Sequence, residues 1–241
     1  MTSGISEIWV YLSASPLLWL TATLLAYQVA YAIYARSKFN PLVNPVAIAV
    51  ALLVLTLTLT HTPYQTYFQG AQFVHFLLGP ATVALAIPLY MQFEKLRRNW
   101  FALLSSALLG GASAIATAMG IAWLLGASPA TVLSLAPKSV TMPIAMGIAE
   151  KIGGLPSLTA VLVMLTGVLG ATTARFIFNA MKIDDHSIRG FALGVTSHGI
   201  GTARAFQVSE EMGAFSGLAM GLSGVLTALL LPLVLKLPGV L

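Results

Sequence analysis

The chain of 241 residues contains no cysteine, which excludes disulfides, thiolate catalysis and cysteine-ligated metals. Charge is scarce as well: 8% of the residues are charged, against roughly 25% in soluble domains. The four histidines are scattered without His-x-x-His spacing, which argues against a metalloenzyme. There is no Walker A loop, no dinucleotide fingerprint and no Gly-x-Ser-x-Gly elbow. No nucleophile–base pairing is evident, so neither an enzyme nor a cofactor is expected. The formal charge of +5 does not point to nucleic acid, because the basic residues fall in short loops. The first fifteen residues, "MTSGISEIWVYLSAS", lack a basic n-region, so a cleaved signal peptide is not expected.

What the chain has is apolar length. Hydrophobic residues make up 58% of it, and its mean hydropathy is +0.89. Long apolar runs recur from end to end, so the expected class is an all-α polytopic membrane protein. About eight apolar segments can be read, at 14–35, 41–60, 72–91, 100–125, 130–150, 156–180, 190–208 and 214–236. Arg36 and Lys38 follow the first, and Lys95, Arg97 and Arg98 follow the third. The positive-inside rule then places 36–40 and 92–99 in the cytoplasm and both termini outside. If 130–150 and 190–208 re-enter instead of crossing, eight crossings become six and the termini keep their sides.

Three segments are poorly built as plain helices. "FLLGPATVALAIPLY" carries Gly79-Pro80 and Pro88, "LSLAPKSVTMPIAMG" carries Pro137 and Pro143, and "TSHGIGTARA" carries Gly199 and Gly201. Proline removes a backbone donor, and irregular backbone at membrane depth survives only beside protein or a water-filled cavity. Gly/Pro-interrupted segments are a pointer to a transporter site; the competing reading is kinked packing helices. An internal repeat is suggested by "GPATVALAIP" and "APKSVTMP", at unequal spacing and of unassigned handedness.

The second and third of these segments hold cations and hydroxyls. If the helix breaks at Gly199 and Gly201, Thr202 and Arg204 lie in the first turn of a new half-helix, whose N–H groups and dipole favour an anion. Arg204 could then grip a carboxylate with two hydrogen bonds. Lys138 and Ser139, after Pro137, suggest a second half-helix start facing the first. The candidate substrate site therefore comprises Thr82, Lys138, Ser139, Thr141, Ser197, His198, Gly199, Gly201, Thr202 and Arg204. The alternatives are that Arg204 snorkels to the interface or pairs with Glu210 or Glu211, that His198 only hydrogen-bonds a neighbouring helix, and that Lys138 lies in an external loop. Asp184, Asp185, His186 and Arg189 read as a solvated loop.

The same stretches resemble the LrgB/CidB family of bacterial inner-membrane proteins. The resemblance rests on "GPATVALAIPL" at 79–89, "KSVTMPIA" at 138–145, "GGLPSLTAV" at 153–161, "GFALGVTSHGIGTARAF" at 190–206 and "GAFSGLAMGLSGVLTALLLPL" at 213–233. Met142 stands where the family often has Thr. The resemblance covers roughly residues 40–236, giving an N-terminal segment with its basic loop at 1–40 and an LrgB-like membrane domain at 41–241. It implies an antiholin-like protein that acts with a small LrgA/CidA-type membrane partner in control of murein hydrolase activity and lysis. It also implies transport, since similar proteins are linked to pyruvate uptake and a plant plastid member moves glycolate and glycerate. The expected partners are thus that small protein, a small carboxylate anion and the lipid bilayer, with a homo-oligomer left open and no nucleic acid.

Overall fold

The computed structural model describes residues 15–40, 42–77, 80, 83, 84 and 86–235. Thr82 and Gly79 lie outside the described residues, so the first candidate segment and its share of the suggested repeat are not assessed. The described residues are mostly helical, without strands, and four helices are long and apolar enough to cross a membrane. The chain is an all-α, multi-pass membrane protein. It forms two compact units, divided between Ala84 and Leu85.

The first unit contains α1 (Pro16–Arg36), α2 (Pro45–Leu59) and α3 (Tyr64–Phe76). Asn44 caps α2 by accepting from the N–H groups of Val46 and Ala47 at 2.9 and 3.2 Å. Trp19 of α1 meets Tyr67 of α3 edge to face at 5.9 Å, and Thr23 bonds the Tyr67 hydroxyl at 3.1 Å. The expected span at 72–91 is not one helix: α3 ends at Phe76, ahead of Gly79-Pro80.

The second unit begins with the short α4 (Ala86–Met91) and the 32-residue α5 (Phe93–Leu124). "EKLRRN", expected as a connection, forms the first turns of α5 instead. Glu, Lys, Leu and Arg are good helix formers, so the helix outlasts the apolar run. Then come α6 (Pro129–Leu135), α7 (Met142–Ile152), α8 (Pro156–Ala180), α9 (His186–Phe206) and α10 (Glu210–Val234).

Contacts between these helices fix their directions. Lys95 at the start of α5 pairs with Glu211 at the start of α10 at 2.6 Å and lies 4.0 Å from Asp185, the cap of α9. These three helix starts therefore share one face of the unit, the Lys95 face. Their partners advance together: Ala107, Phe191, Val195, Phe215 and Ala219 form one apolar cluster. Helix α8 runs the opposite way, since its last turns (Ala174, Phe178) pack with Leu193 and Met212.

Neither α6–α7 nor α9 crosses. A Cβ at Gly154 would lie 3.0 Å from the Ser134 nitrogen, and the Leu155 N–H donates to the Ser134 hydroxyl at 2.7 Å. Twenty residues of straight helix would separate them by about 30 Å, so α6 and α7 form a hairpin. It opens on the opposite face, where Gly126 follows the end of α5.

Helix α9 turns back at His198, whose φ is 40° and ψ −133°. A Cβ at Gly201 would meet the Leu193 carbonyl oxygen at 2.9 Å and Ser197 Cβ at 2.7 Å. Residues eight apart in a straight helix are about 12 Å apart. The descending arm, 186–197, runs parallel to α10, with Gly190 against Met212 and Gly194 against Ser216. The return arm, 199–206, runs antiparallel to it, with Thr202 at Ser216 and Phe206 at Gly213.

The unit thus repeats one plan twice in opposite senses: a spanning helix, then a hairpin that re-enters from the face the helix has reached. This is an inverted-topology arrangement of α5 with the first hairpin and α8 with the second. The repeat relates 129–152 to 186–206, a different pair from the one the sequence suggested.

Candidate functional site

Both hairpin tips reach the same depth between α8 and α10. The His198 Nε2 donates to the Val163 carbonyl at 3.0 Å, and Val163 belongs to the apolar cluster formed with Ala136, Val140 and Ala145 of the first hairpin. On α10, Met220 lies 3.8 Å from a Cβ placed at Gly199, and a Cβ placed at Gly224 would lie 3.3 Å from Ile144 Cδ1. Those two α10 positions are one turn apart, about 6 Å. The α6 arm contributes about 10 Å and the descending arm of α9 about 18 Å, together close to the roughly 30 Å of a bilayer core.

The first tip spans 136–141, between a helix that Pro137 does not continue and one that starts with Thr141 as N-cap and Pro143 in its first turn. The side chain of Thr141 makes no capping bond. Lys138 is half-buried, its Nζ 3.4 Å from the Ser139 hydroxyl. No carboxylate lies within ion-pairing distance of it among the described residues. Lys138 and Ser139 occupy the turn itself, not the first turn of the following half-helix as the sequence suggested.

The second tip has His198, 4% exposed, at the turn. Ser197 is fully buried against Gly170 of α8, and the imidazole packs on Gly167. Thr202 donates to the His198 carbonyl at 2.9 Å and shares a hydrogen bond with Ser216 at 3.0 Å. The break expected at Gly199 and Gly201 falls at His198. The two glycines have no positive φ; Gly201 is needed because the arms press together there.

Arg204 is not at this tip. The return arm starts at Gly199, so Arg204 is in its last turn, about 8 Å further along the axis. There it donates to Gln207 at 3.0 Å and lines a cavity of about 200 Å³ with Arg175 and Arg189. Glu211, one of its proposed partners, is held by Lys95. Arg175 is missing from the sequence candidates, although an arginine inside the apolar run 156–180 is the signal that finds it. Ser216 and Ser134, both fully buried, are likewise absent from the sequence candidates.

A second cavity, of about 580 Å³, lies between α5 and the descending arm. It extends from Lys95, Asn99 and Asp185 at the Lys95 face to Gly110, Val195 and Thr196, two residues short of the His198 turn. Asp185 at its mouth caps α9, accepting from the N–H groups of Ser187 and Ile188 and from the Ser187 hydroxyl. That hydroxyl above all, then the backbone donors and Lys95, holds its carboxyl below the usual carboxylate range. No cluster of metal-ligating side chains occurs among the described residues.

The profile of the LrgB-like family matches residues 23–237. The protein YwbG of Bacillus subtilis is 37% identical over 214 residues, covering 89% of this chain and 95% of its own. An uncharacterized protein of Haemophilus influenzae is 34% identical, covering 73% and 76%. The antiholin-like protein LrgB of Bacillus mycoides is 28% identical, covering 93% and 98%. No solved structure matches. A profile that takes in nearly the whole chain, with a relative 37% identical along 95% of its own length, makes this protein a member of the LrgB-like family.

Proposed function

We propose that the protein is a secondary carrier of small monocarboxylates of the pyruvate, glycolate, glycerate and lactate type, working with an LrgA/CidA-type partner in the bacterial inner membrane. The observation that carries the proposal is Lys138 at the tip of one of two opposed hairpins, a half-buried cation without a carboxylate partner among the described residues. An ionisable group at membrane depth is costly and marks a substrate path by default. Half-helix ends facing a shared site at the interface of inverted repeats are the usual means of binding an ion there. A 2-oxo or 2-hydroxy acid offers one carboxylate and one adjacent oxygen. Lys138 would meet the first, and the neighbouring hydroxyls of Ser139 and Thr141 the second. The cavity between α5 and α9 supplies an approach from the Lys95 face. That face carries Lys95, Arg97, Arg98, Lys182 and Arg189 while Lys151 lies near the other, so it is the cytoplasmic one.

The test is uptake of labelled pyruvate, glycolate and lactate into proteoliposomes, with and without the partner. Saturable uptake is expected, falling about 10- to 100-fold in Lys138→Gln because a charged hydrogen bond is lost.

A second reading is favoured by the relatives' name, which supports it more directly than it supports transport: an antiholin-like protein that restrains a holin-like partner and moves nothing itself. It expects no flux under any of these conditions, and an effect of the pair on murein hydrolase activity instead.

A further inference from the structure

Three arginines line one cavity where the second hairpin emerges at the Lys95 face. Arg175 comes from the last turns of α8, Arg189 from the first turn of α9 and Arg204 from the last. Together they line the cavity of about 200 Å³, whose remaining walls are Ala171, Ala174, Phe178, Leu193, Val208 and Met212. No acidic residue lines it. Arg189 is held in place on Asn179 at 2.8 Å, on the Ile183 carbonyl and over the Phe178 ring. Its ion-pair partner, Asp184 at 3.2 Å, has a side chain 92% exposed. Arg175 is exposed and within ion-pairing distance of no carboxylate among the described residues.

Three cations lining a cavity whose other walls are apolar favour an anion there. Guanidinium forks match phosphate oxygens two at a time, and basic pockets between transmembrane helices at the cytoplasmic side hold anionic headgroups. The volume is below the 300–1,000 Å³ typical of pockets for larger organic ligands, which suits a phosphate group and little more. We infer that this cavity is a phosphate-binding site, taking the headgroup phosphate of an anionic lipid or a free phosphate. It is separate from the Lys138 site and does not depend on the transport reading.

Binding of labelled phosphatidylglycerol to the purified full chain, in neutral detergent and in phosphatidylcholine nanodiscs, tests the inference, with inorganic phosphate as competitor and as a ligand alone. Each of Arg175→Gln and Arg204→Gln is expected to weaken binding about fivefold, while Arg98→Gln, an exposed arginine outside the cavity, leaves it unchanged. Retention of the lipid against excess inorganic phosphate identifies a lipid headgroup. Displacement by phosphate, with phosphate binding lost in the same variants, identifies a soluble anion. Equal losses in Arg98→Gln, or binding of neither probe, overturn the site. Should the Arg204 variant not fold, Arg175→Gln decides alone, since its side chain is exposed.

Discussion

The residue that shapes the candidate site is His198, which adopts a backbone conformation that glycine would take with less strain. Its φ of 40° and ψ of −133° resemble the first central position of a type II′ turn, where glycine dominates. Glycine is the very next residue, so the chain has placed the histidine at the turn and not beside it. The strain, of order 1–3 kcal/mol, is offset by the bond to Val163 and by packing on Gly167. His198→Ala keeps the strain and loses the bond, whereas His198→Gly loses both. In thermal unfolding of the purified protein, Ala should therefore be less stable than Gly by about 1 kcal/mol; an Ala variant as stable as Gly would remove the strained turn from the account. Asp185 makes a second prediction. Its carboxyl is held below its ordinary value by the Ser187 hydroxyl first of all, so its contribution is present above the unfolded pKa near 4 and is lost as pH falls through the lower folded value. Asp185→Ala should cost about 1 kcal/mol at neutral pH and flatten the loss of stability on acidification. A pH profile identical to wild type would deny the cap its charge.

At the scale of elements, the second hairpin depends on close approach between α9 and α10. A Cβ at Gly194 would collide with the Ser216 carbonyl oxygen, while one at Gly221, on the same α10, would meet nothing within 4 Å. Gly194→Ala should destabilise by about 1–3 kcal/mol through overpacking, and Gly221→Ala should be neutral or slightly stabilising through helix propensity. Equal effects would mean that α9 and α10 are not in contact there. This element also shows what the sequence could and could not disclose. Pro137 and Pro143 announced the first break because proline's effect on a helix is local and needs no partner. Gly199 and Gly201 announced a second break, but their spacing cannot separate a kink from a reversal, nor tell that a histidine takes the turn. That distinction lies in the contacts of the return arm with Leu193 of its own helix and Ser216 of the next, which no local pattern reports. Arg204 was misplaced for the same reason: shifting the start of the half-helix to Gly199 and folding it back carries Arg204 from the tip to the mouth. Family membership, by contrast, was legible, because "GFALGVTSHGIGTARAF" carries it without any knowledge of geometry.

At the scale of the whole molecule, the account stands on two hairpins that enter from opposite faces. It follows that the ends of α9 share one side of the membrane and the ends of the α6–α7 hairpin share the other. A straight α9 of 21 residues would be long enough to cross, so the alternative is a definite one. The chain has no cysteine of its own, so single cysteines report without background. The decisive measurement is labelling by a membrane-impermeant maleimide, in intact cells and in inverted vesicles, of single-cysteine variants at Lys182, Val208, Gly126 and Leu155. The account predicts that Lys182→Cys and Val208→Cys react only in inverted vesicles, with Arg97→Cys, and that Gly126→Cys and Leu155→Cys react only in intact cells. Reaction of Lys182→Cys and Val208→Cys from opposite sides would make α9 a crossing helix and contradict the site built on its turn.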